Sequence, residues 1–277
     1  MDSAMMIQLL AVALGAGAAG GILAGLMGVG GGIVIVPALY FALGLTGMEP
    51  GLTMQLAVGT SLATIVFTAL SSASGHYRRG AIDMALLRRW APWILIGVVL
   101  GSLAGGIVSG VVLMAVFTVV ALLVGLDMVL RRPSETSTPR DFAPPVWAGL
   151  GMGAGAISAM MGIGGGTVCV PVLSFLGYDI RRAVGTSAAI GFLIGLPGAV
   201  VYAATGFGVE GLPPFSLGFV NLLAAAVIIP MTTLFARVGV RIAHAIPRSA
   251  LRRAFGLFLL LTAVRMGRDL LGILAQA

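Results

Sequence analysis

The sequence predicts an all-α, polytopic integral membrane protein built from two inverted repeats, each of about five helical segments with a glycine-broken hairpin. Three observations carry this: the composition, the lengths of the apolar stretches, and an internal repeat. Of 277 residues, 59% are hydrophobic and 9% charged, and the mean hydropathy is +1.10. Soluble domains run at about 45–50% apolar and about 25% charged, so a soluble globular protein is excluded. A membrane-crossing helix takes about 20 mostly apolar residues, and the chain has room for about eight to ten of them with little left over. The stretches are continuous rather than alternating with period two, which excludes a membrane β-barrel.

The repeat organises everything else. Gly28-Val29-Gly30-Gly31-Gly32, followed by Pro37, returns as Gly162-Ile163-Gly164-Gly165-Gly166, followed by Pro171, and Met27 and Met161 stand just before the two runs. Val58-Gly59-Thr60-Ser61 returns as Val184-Gly185-Thr186-Ser187. The same register aligns His76 with Tyr202 and Gly80 with Gly206, and further on Phe117 and Met128 align with Phe255 and Met266. The expected units are a first membrane repeat over 1–130, a cytoplasmic linker over 131–144 and a second membrane repeat over 145–277, together one unit. The linker, Arg131 to Asp141 in its polar part, contains Pro133 and Pro139 and reads as an extended connection.

Taken in order, the first half holds apolar segments at 5–27, 33–45, 52–75, 90–109 and 111–130. The N-terminal one ends in small residues like a signal peptide but carries Asp2 in place of a basic start, so it is counted in the mature fold. The second half holds segments at 145–161, 167–177, 184–204, 215–236 and 254–272. In each half the second segment is too short to cross about 30 Å of hydrocarbon at about 1.5 Å per residue. The first two segments therefore form a hairpin broken at the glycine run. Five segments per half is an odd number, which inverts the second half relative to the first.

The arginines test this orientation separately. The net charge of +7 comes from arginine alone, since the chain contains no lysine. With the loop of Arg78, Arg79, Arg88 and Arg89 in the cytoplasm, 14 of the 16 arginines fall on that side, leaving Arg265 and Arg268 near the other face. The loops 44–51 and 205–214 then lie outside and carry Glu49 and Glu210 without an arginine. This is the positive-inside pattern. It places both termini outside the cytoplasm. A pI near 11.0 would suggest nucleic acid in a soluble protein, but these arginines sit at segment ends with little aromatic interleaving, so no nucleic-acid partner is expected.

Glycine-interrupted helices in inverted halves are the pattern of secondary transporters, with substrate where the breaks face each other. Three successive glycines leave backbone N–H groups unobstructed at the positive end of the next helix, a site suited to a small anion. The alternative is close helix packing, which does account for the spaced Gly17/Gly21/Gly25 and Gly97/Gly101/Gly105. Thr60, Ser61, Thr186 and Ser187 could donate to an anion or bond back to the preceding turn. His76 and Tyr202 stand where a gate or path residue would, although His76 also reads as interfacial with its tip in water. Asn221 reads as glue between helices, Cys169 as a small hydrophobe, and Asp127 as the partner of Arg131. No segment carries a central Asp or Glu, which disfavours a carboxylate relay for protons. There is no metal-ligand spacing, no phosphate-binding loop and no nucleophile elbow. Neither an enzyme, a catalytic residue, a cofactor nor a metal is expected.

The paired glycine turns followed by proline and the two Val-Gly-Thr-Ser stretches make the chain resemble the TauE/SafE family of sulfite and organosulfonate exporters over essentially its whole length. The resemblance implies export of a small sulfur-containing or carboxylate anion across a bacterial cytoplasmic membrane by alternating access. It carries a substrate role to Gly30, Gly31, Gly32, Thr60, Ser61, Gly164, Gly165, Gly166, Thr186 and Ser187. The partners implied are a small anionic solute and the lipid bilayer, and nothing in the sequence sets the oligomeric state. An anion leaves an inside-negative cell downhill by about 2.3 kcal/mol per charge per 100 mV, so export needs no central carboxylate. A non-transporting scaffold or a small-cation carrier are the alternative readings.

Overall fold

A computed structural model describes residues 3–28, 30–130, 142–242 and 248–275. The polar part of the linker, with Arg131 as the expected partner of Asp127, lies outside the described residues, and so do Val29 and His244. The first half contains α1 (Ser3–Met27), α2 (Gly32–Gly44), α3 (Pro50–Tyr77), α4 (Met84–Ile107) and α5 (Gly110–Leu130). The second contains α6 (Pro144–Met161), α7 (Gly166–Phe175), α8 (Ile180–Thr205), α9 (Leu222–Ile242) and α10 (Arg248–Leu274). Among the described residues, α3, α4, α5, α8 and α9 hold stretches long and apolar enough to cross a membrane. The fold is that of an all-α polytopic membrane protein.

Helix starts follow local chemistry. Pro50 and Pro144 open α3 and α6, where a missing N–H costs nothing. Asp83 caps α4 by accepting from Leu86 N (3.0 Å), and Asp179 caps α8 by accepting from Arg181 N (2.9 Å). That cap lets α4 begin at Met84, with Arg88 and Arg89 already inside the helix, six residues before the apolar segment expected at 90–109. The largest departure is the segment expected at 215–236. Its first residues form a hairpin, β1 (Ser216–Leu217) against β2 (Val220–Asn221), and the helix runs from Leu222 to Ile242. Gly218 takes the left-handed conformation that reverses the chain there, and Phe215 shares it.

The first helix of each half lies along the fourth helix of the other. Gly17 and Gly21 of α1 meet Met231 and Thr232 of α9, and Gly25 meets Ala236, so the pair runs parallel. Likewise Gly97 and Gly101 of α4 meet Met152 and Ala156 of α6. These are the packing seams expected of spaced glycines. Gly105 differs, since the space beside it holds the Tyr202 hydroxyl. The equivalent helices α3 and α8 pack antiparallel, with Gly59 at Tyr202, Gly195 at Leu62 and Gly191 at Ala69. So do α5 and α10, with Gly125 at Leu260 and Gly267 at Thr118.

Charged loops gather at one end of the bundle. There the Arg79 guanidinium donates to the Val240 carbonyl (3.2 Å), and Arg182 pairs with Asp83 (3.7 Å). Arg89 lies over the Trp147 ring, 4.8 Å from its centre. At the opposite end the Gln55 amide donates to the Val108 carbonyl (3.0 Å), and Arg265 lies over the Phe41 ring, 5.7 Å from its centre.

A β-carbon at Gly101 would sit 2.5 Å from the Ala156 Cα, so backbone would have to move. Gly101→Leu should cost about 1–3 kcal/mol or more, read as a lowered Tm in detergent. Gly149 on α6 has nothing within 4 Å. Gly149→Ala should leave Tm unchanged or raise it, with up to about 1 kcal/mol gained in helix propensity.

Candidate functional site: two glycine turns in contact

Each turn is built to reverse a helix inside protein. After α1 the chain passes through Gly28, Gly30 and Gly31 with φ of 66°, 74° and 78°, the left-handed region that side chains resist. The Gly31 carbonyl then accepts from Val34 N (3.0 Å) and Ile35 N (3.2 Å), starting α2. In the second half, Gly162 ends α6 with φ 65°. The Gly165 carbonyl accepts from Cys169 N (2.7 Å) to start α7. At about 1.5 Å per residue, α2 and α7, of 13 and 10 residues, each cross roughly half a bilayer.

The turns touch each other, backbone against backbone. A β-carbon on Gly30 would lie 3.1 Å from the Gly164 Cα, and one on Gly32 would lie 2.9 Å from the Ile163 Cα. Each turn also rests on the other half's Val-Gly-Thr-Ser stretch. Gly28 abuts the Val184 carbonyl, and a β-carbon on Gly162 would lie 2.8 Å from the Val58 Cα. Gly28, Gly30 to Gly32 and Gly162 to Gly166 are all buried. Two clefts, of about 730 and 400 Å³, lie elsewhere: one beside Tyr40, Phe41, Thr53, Arg265 and Asp269, the other beside Phe142, Val146, Pro171 and Phe175. Neither is lined by the turns, which are sealed in this conformation.

The four hydroxyls of the repeated stretch are buried, and none bonds back to its own helix. Thr60 Oγ1 accepts from Asn221 N (2.9 Å), and Thr186 Oγ1 accepts from Asp83 N (2.9 Å). Asn221 in turn caps α9, its side-chain oxygen accepting from Ala224 N (2.9 Å), as Asp83 caps α4. Each threonine therefore holds the cap of the other half's fourth helix. Ser61 Oγ donates to the Gly162 carbonyl (2.7 Å), tying α3 to the opposite turn. The Ser187 hydroxyl has no partner.

Sequence reasoning did not single out Asp83, although it aligns with Asn221 in the register that matches Phe117 with Phe255. The reading of the Asn221 side chain as glue between helices is corrected: it caps α9 and bonds locally, its amide donating to the Pro214 carbonyl (3.1 Å) and Ser216 Oγ (3.0 Å), while its backbone N makes the bond to α3.

His76 and Tyr202 are not brought together. His76 lies at the charged end of the bundle, where Ala81 N donates to its carbonyl (3.0 Å). Tyr202 lies at the other end against Phe219, ring centres 6.5 Å apart. The water-facing placement of His76 is corrected: the residue is 6% exposed and its Nε2 is buried. The loop after α3 folds back, and Arg79 anchors it on α9. Cys169 is fully buried. Among the described residues, no three of His, Cys, Asp and Glu cluster to hold a metal.

Comparison with known proteins places this architecture. The profile of the sulfite exporter TauE/SafE family matches residues 13–266. A probable membrane transporter protein of Haemophilus influenzae is 34% identical over 261 residues, covering 94% of this chain and 99% of its own length. Another from Methanocaldococcus jannaschii is 26% identical over 255 residues, 87% of this chain and 91% of its own. The probable membrane transporter protein YunE of Bacillus subtilis is 28% identical over 209 residues, 67% of this chain and 75% of its own. No solved structure matches the chain.

Replacing either threonine by valine leaves a backbone N–H without its acceptor, buried at Asn221 and half-buried at Asp83. Thr60→Val and Thr186→Val should each cost about 1–3 kcal/mol, seen as a fall in Tm in detergent. The two sites share no partner, so the double variant should show the sum of the two losses.

Proposed function

The chain belongs to the sulfite exporter TauE/SafE family and is a multi-pass membrane transporter, and from that premise we propose that it exports a small anion by alternating access. Sulfite, an organosulfonate or a related carboxylate is the cargo class. The observation that carries this reading is the contact of two glycine turns, each seated on the other half. Irregular backbone inside a membrane is tolerated where protein buries it or where it lines a polar path. Both turns present the positive ends of short helices, α2 and α7, to the same region, which favours an anion over a cation.

Since the turns touch, a cargo can enter between them only when one half moves relative to the other. Antiparallel packing of α3 on α8 and α5 on α10 supports inverted halves that rock in this way. The two units, 1–130 and 145–277 joined by the 131–144 linker, act together as one transporter. The charged end of the bundle, by the positive-inside rule, faces the cytoplasm of a cell with this protein in its inner membrane, and both termini lie outside. An inside-negative potential then drives export by about 2.3 kcal/mol per charge per 100 mV. On this reading His76 and Tyr202, at opposite ends of the bundle, belong to the two approaches and are uncovered when the halves move.

Purified protein in liposomes loaded with sulfite, methanesulfonate, sulfate or acetate tests this. The expected result is saturable release of sulfite or methanesulfonate, accelerated by an inside-negative potential. No release of any of these from folded protein would refute the exporter and leave a scaffold. Gly165 has φ −54°, which any residue adopts, but a β-carbon there would lie 2.9 Å from the Ser187 carbonyl oxygen. Gly165→Val should therefore insert and fold while losing roughly tenfold or more in flux, equivalent to about 1.4 kcal/mol.

A further inference from the structure

The two turns are homologous, yet their hydrogen-bond donors are not equally engaged. We infer that one half alone grips the cargo: Thr167, Ser187 and the first amides of α7 form an oxyanion half-site, and the first half's turn covers it. This deepens the exporter reading and rests on it.

In the first half the hydroxyls are already used. Ser61 donates to the Gly162 carbonyl at 2.7 Å, and the residue matching Thr167 is Ile33, which has no donor. In the second half the reciprocal bond from Ser187 to the first turn is not made. Thr167 and Ser187 are both 0% exposed, and neither hydroxyl has a partner. Buried hydroxyls are ordinarily bonded, so these two leave donors at the start of α7 and the α8 face against it that a bound group can use.

Local geometry explains why Thr167 stays free. Thr64, Thr68, Thr205 and Thr262 each donate to a carbonyl three or four residues earlier in their own helix. Thr167 is the second residue of α7, and the carbonyl four residues before it, Ile163, belongs to the turn. Side chains lean toward a helix N-terminus, which directs the Thr167 hydroxyl back toward the turn.

Ser187 comes to the same place from α8. Ser187, Ile190 and Gly191 share one face of that helix, and this face meets the start of α7. A β-carbon on Gly165 would lie 2.9 Å from the Ser187 carbonyl and 2.8 Å from Ile190 Cγ2, and one on Gly191 would lie 3.9 Å from Gly165 N. The amides of Gly166 and Thr167 precede any intrahelical acceptor, so they add two more donors and a partial positive charge. Two hydroxyls and two amides suit the three oxygens of sulfite or a sulfonate head group. The positive helix end disfavours a cation. Gly30 and Gly32 lie across Gly164 and Ile163, so the first turn acts as the cover.

The test uses the full chain in liposomes loaded with sulfite or methanesulfonate, together with Tm in detergent with and without sulfite. Ser187→Ala and Thr167→Val should each raise the KM for sulfite roughly tenfold and abolish the rise in Tm that sulfite gives the wild type. Ser187→Thr and Thr167→Ser should restore both. Ser102→Ala is the control, since that hydroxyl is equally buried and unpartnered but faces Gly198, away from the turns. It should behave as wild type. If Ser187→Ala and Thr167→Val match Ser102→Ala while the wild type transports, the half-site is wrong and the exporter stands. If Ser61→Ala raises KM as much as Ser187→Ala, a grip by one half is wrong. If the wild type neither releases sulfite or methanesulfonate nor gains Tm with sulfite, the exporter reading fails and the half-site falls with it.

Discussion

Two stretches of non-helical backbone deep in an apolar bundle must be enclosed by protein, and most of the architecture follows from that. Lipid offers no partners for free N–H and C=O groups, so each turn is enclosed by the other and by the opposite half's α3 or α8. Such enclosure works only at backbone distance, which is why glycine occupies both sides of the contact. A β-carbon on Gly30 would press on Gly164, so a side chain on either would part the turns. The glycine seams of α1 with α9 and α4 with α6 serve the same end, holding each hairpin against the other half.

The threonine bonds extend this exchange to the bundle's two ends. Thr186 holds Asp83 at the charged end, and Thr60 holds Asn221 at the other. Each cap fixes where a long helix begins, and each is fixed in turn by the other half. The ends are chemically unequal, because Asp83 also faces Arg182 at 3.7 Å whereas Asn221 bonds to neutral groups. With Arg182 largely exposed, that ion pair adds about 0–1 kcal/mol. A buried hydrogen bond is worth about as much, so the charge at one end tunes the bundle without dominating it.

Helix order and extent were legible in the sequence because apolar runs and punctuation agree. Pro50, Pro144, Gly162 and the glycine runs mark boundaries that the structure keeps. Legibility failed where two structures share one composition. Phe215 to Asn221 is apolar enough to look like the start of a span, yet it forms a hairpin, and hydropathy cannot separate the two. His76 beside a basic loop looked solvated, but it is buried, next to a loop that Arg79 ties to α9 through a contact 161 residues away in sequence. The repeated Val-Gly-Thr-Ser stretch stood out at once. What its hydroxyls bond to did not, since their partners are backbone groups of the other half and leave no mark in side-chain identity.

The two halves share a glycine-rich turn in sequence, yet the turns differ in conformation, with Gly28, Gly30 and Gly31 left-handed in the first and Gly162 in the second, and they differ in their hydrogen bonds. Had Ser187 bonded to the first turn as Ser61 bonds to the second, its hydroxyl would be engaged by protein. An anion would then have to break protein bonds to enter. Leaving Ser187 and Thr167 without partners avoids that competition. Their neutrality matters equally. An arginine or lysine at this depth would hold an anion through a strong, charge-assisted bond, whereas hydroxyls and helix-end amides hold it more weakly. In the export proposed above, driven by about 2.3 kcal/mol per charge per 100 mV, weak capture by neutral donors would let one site both select an oxyanion and release it.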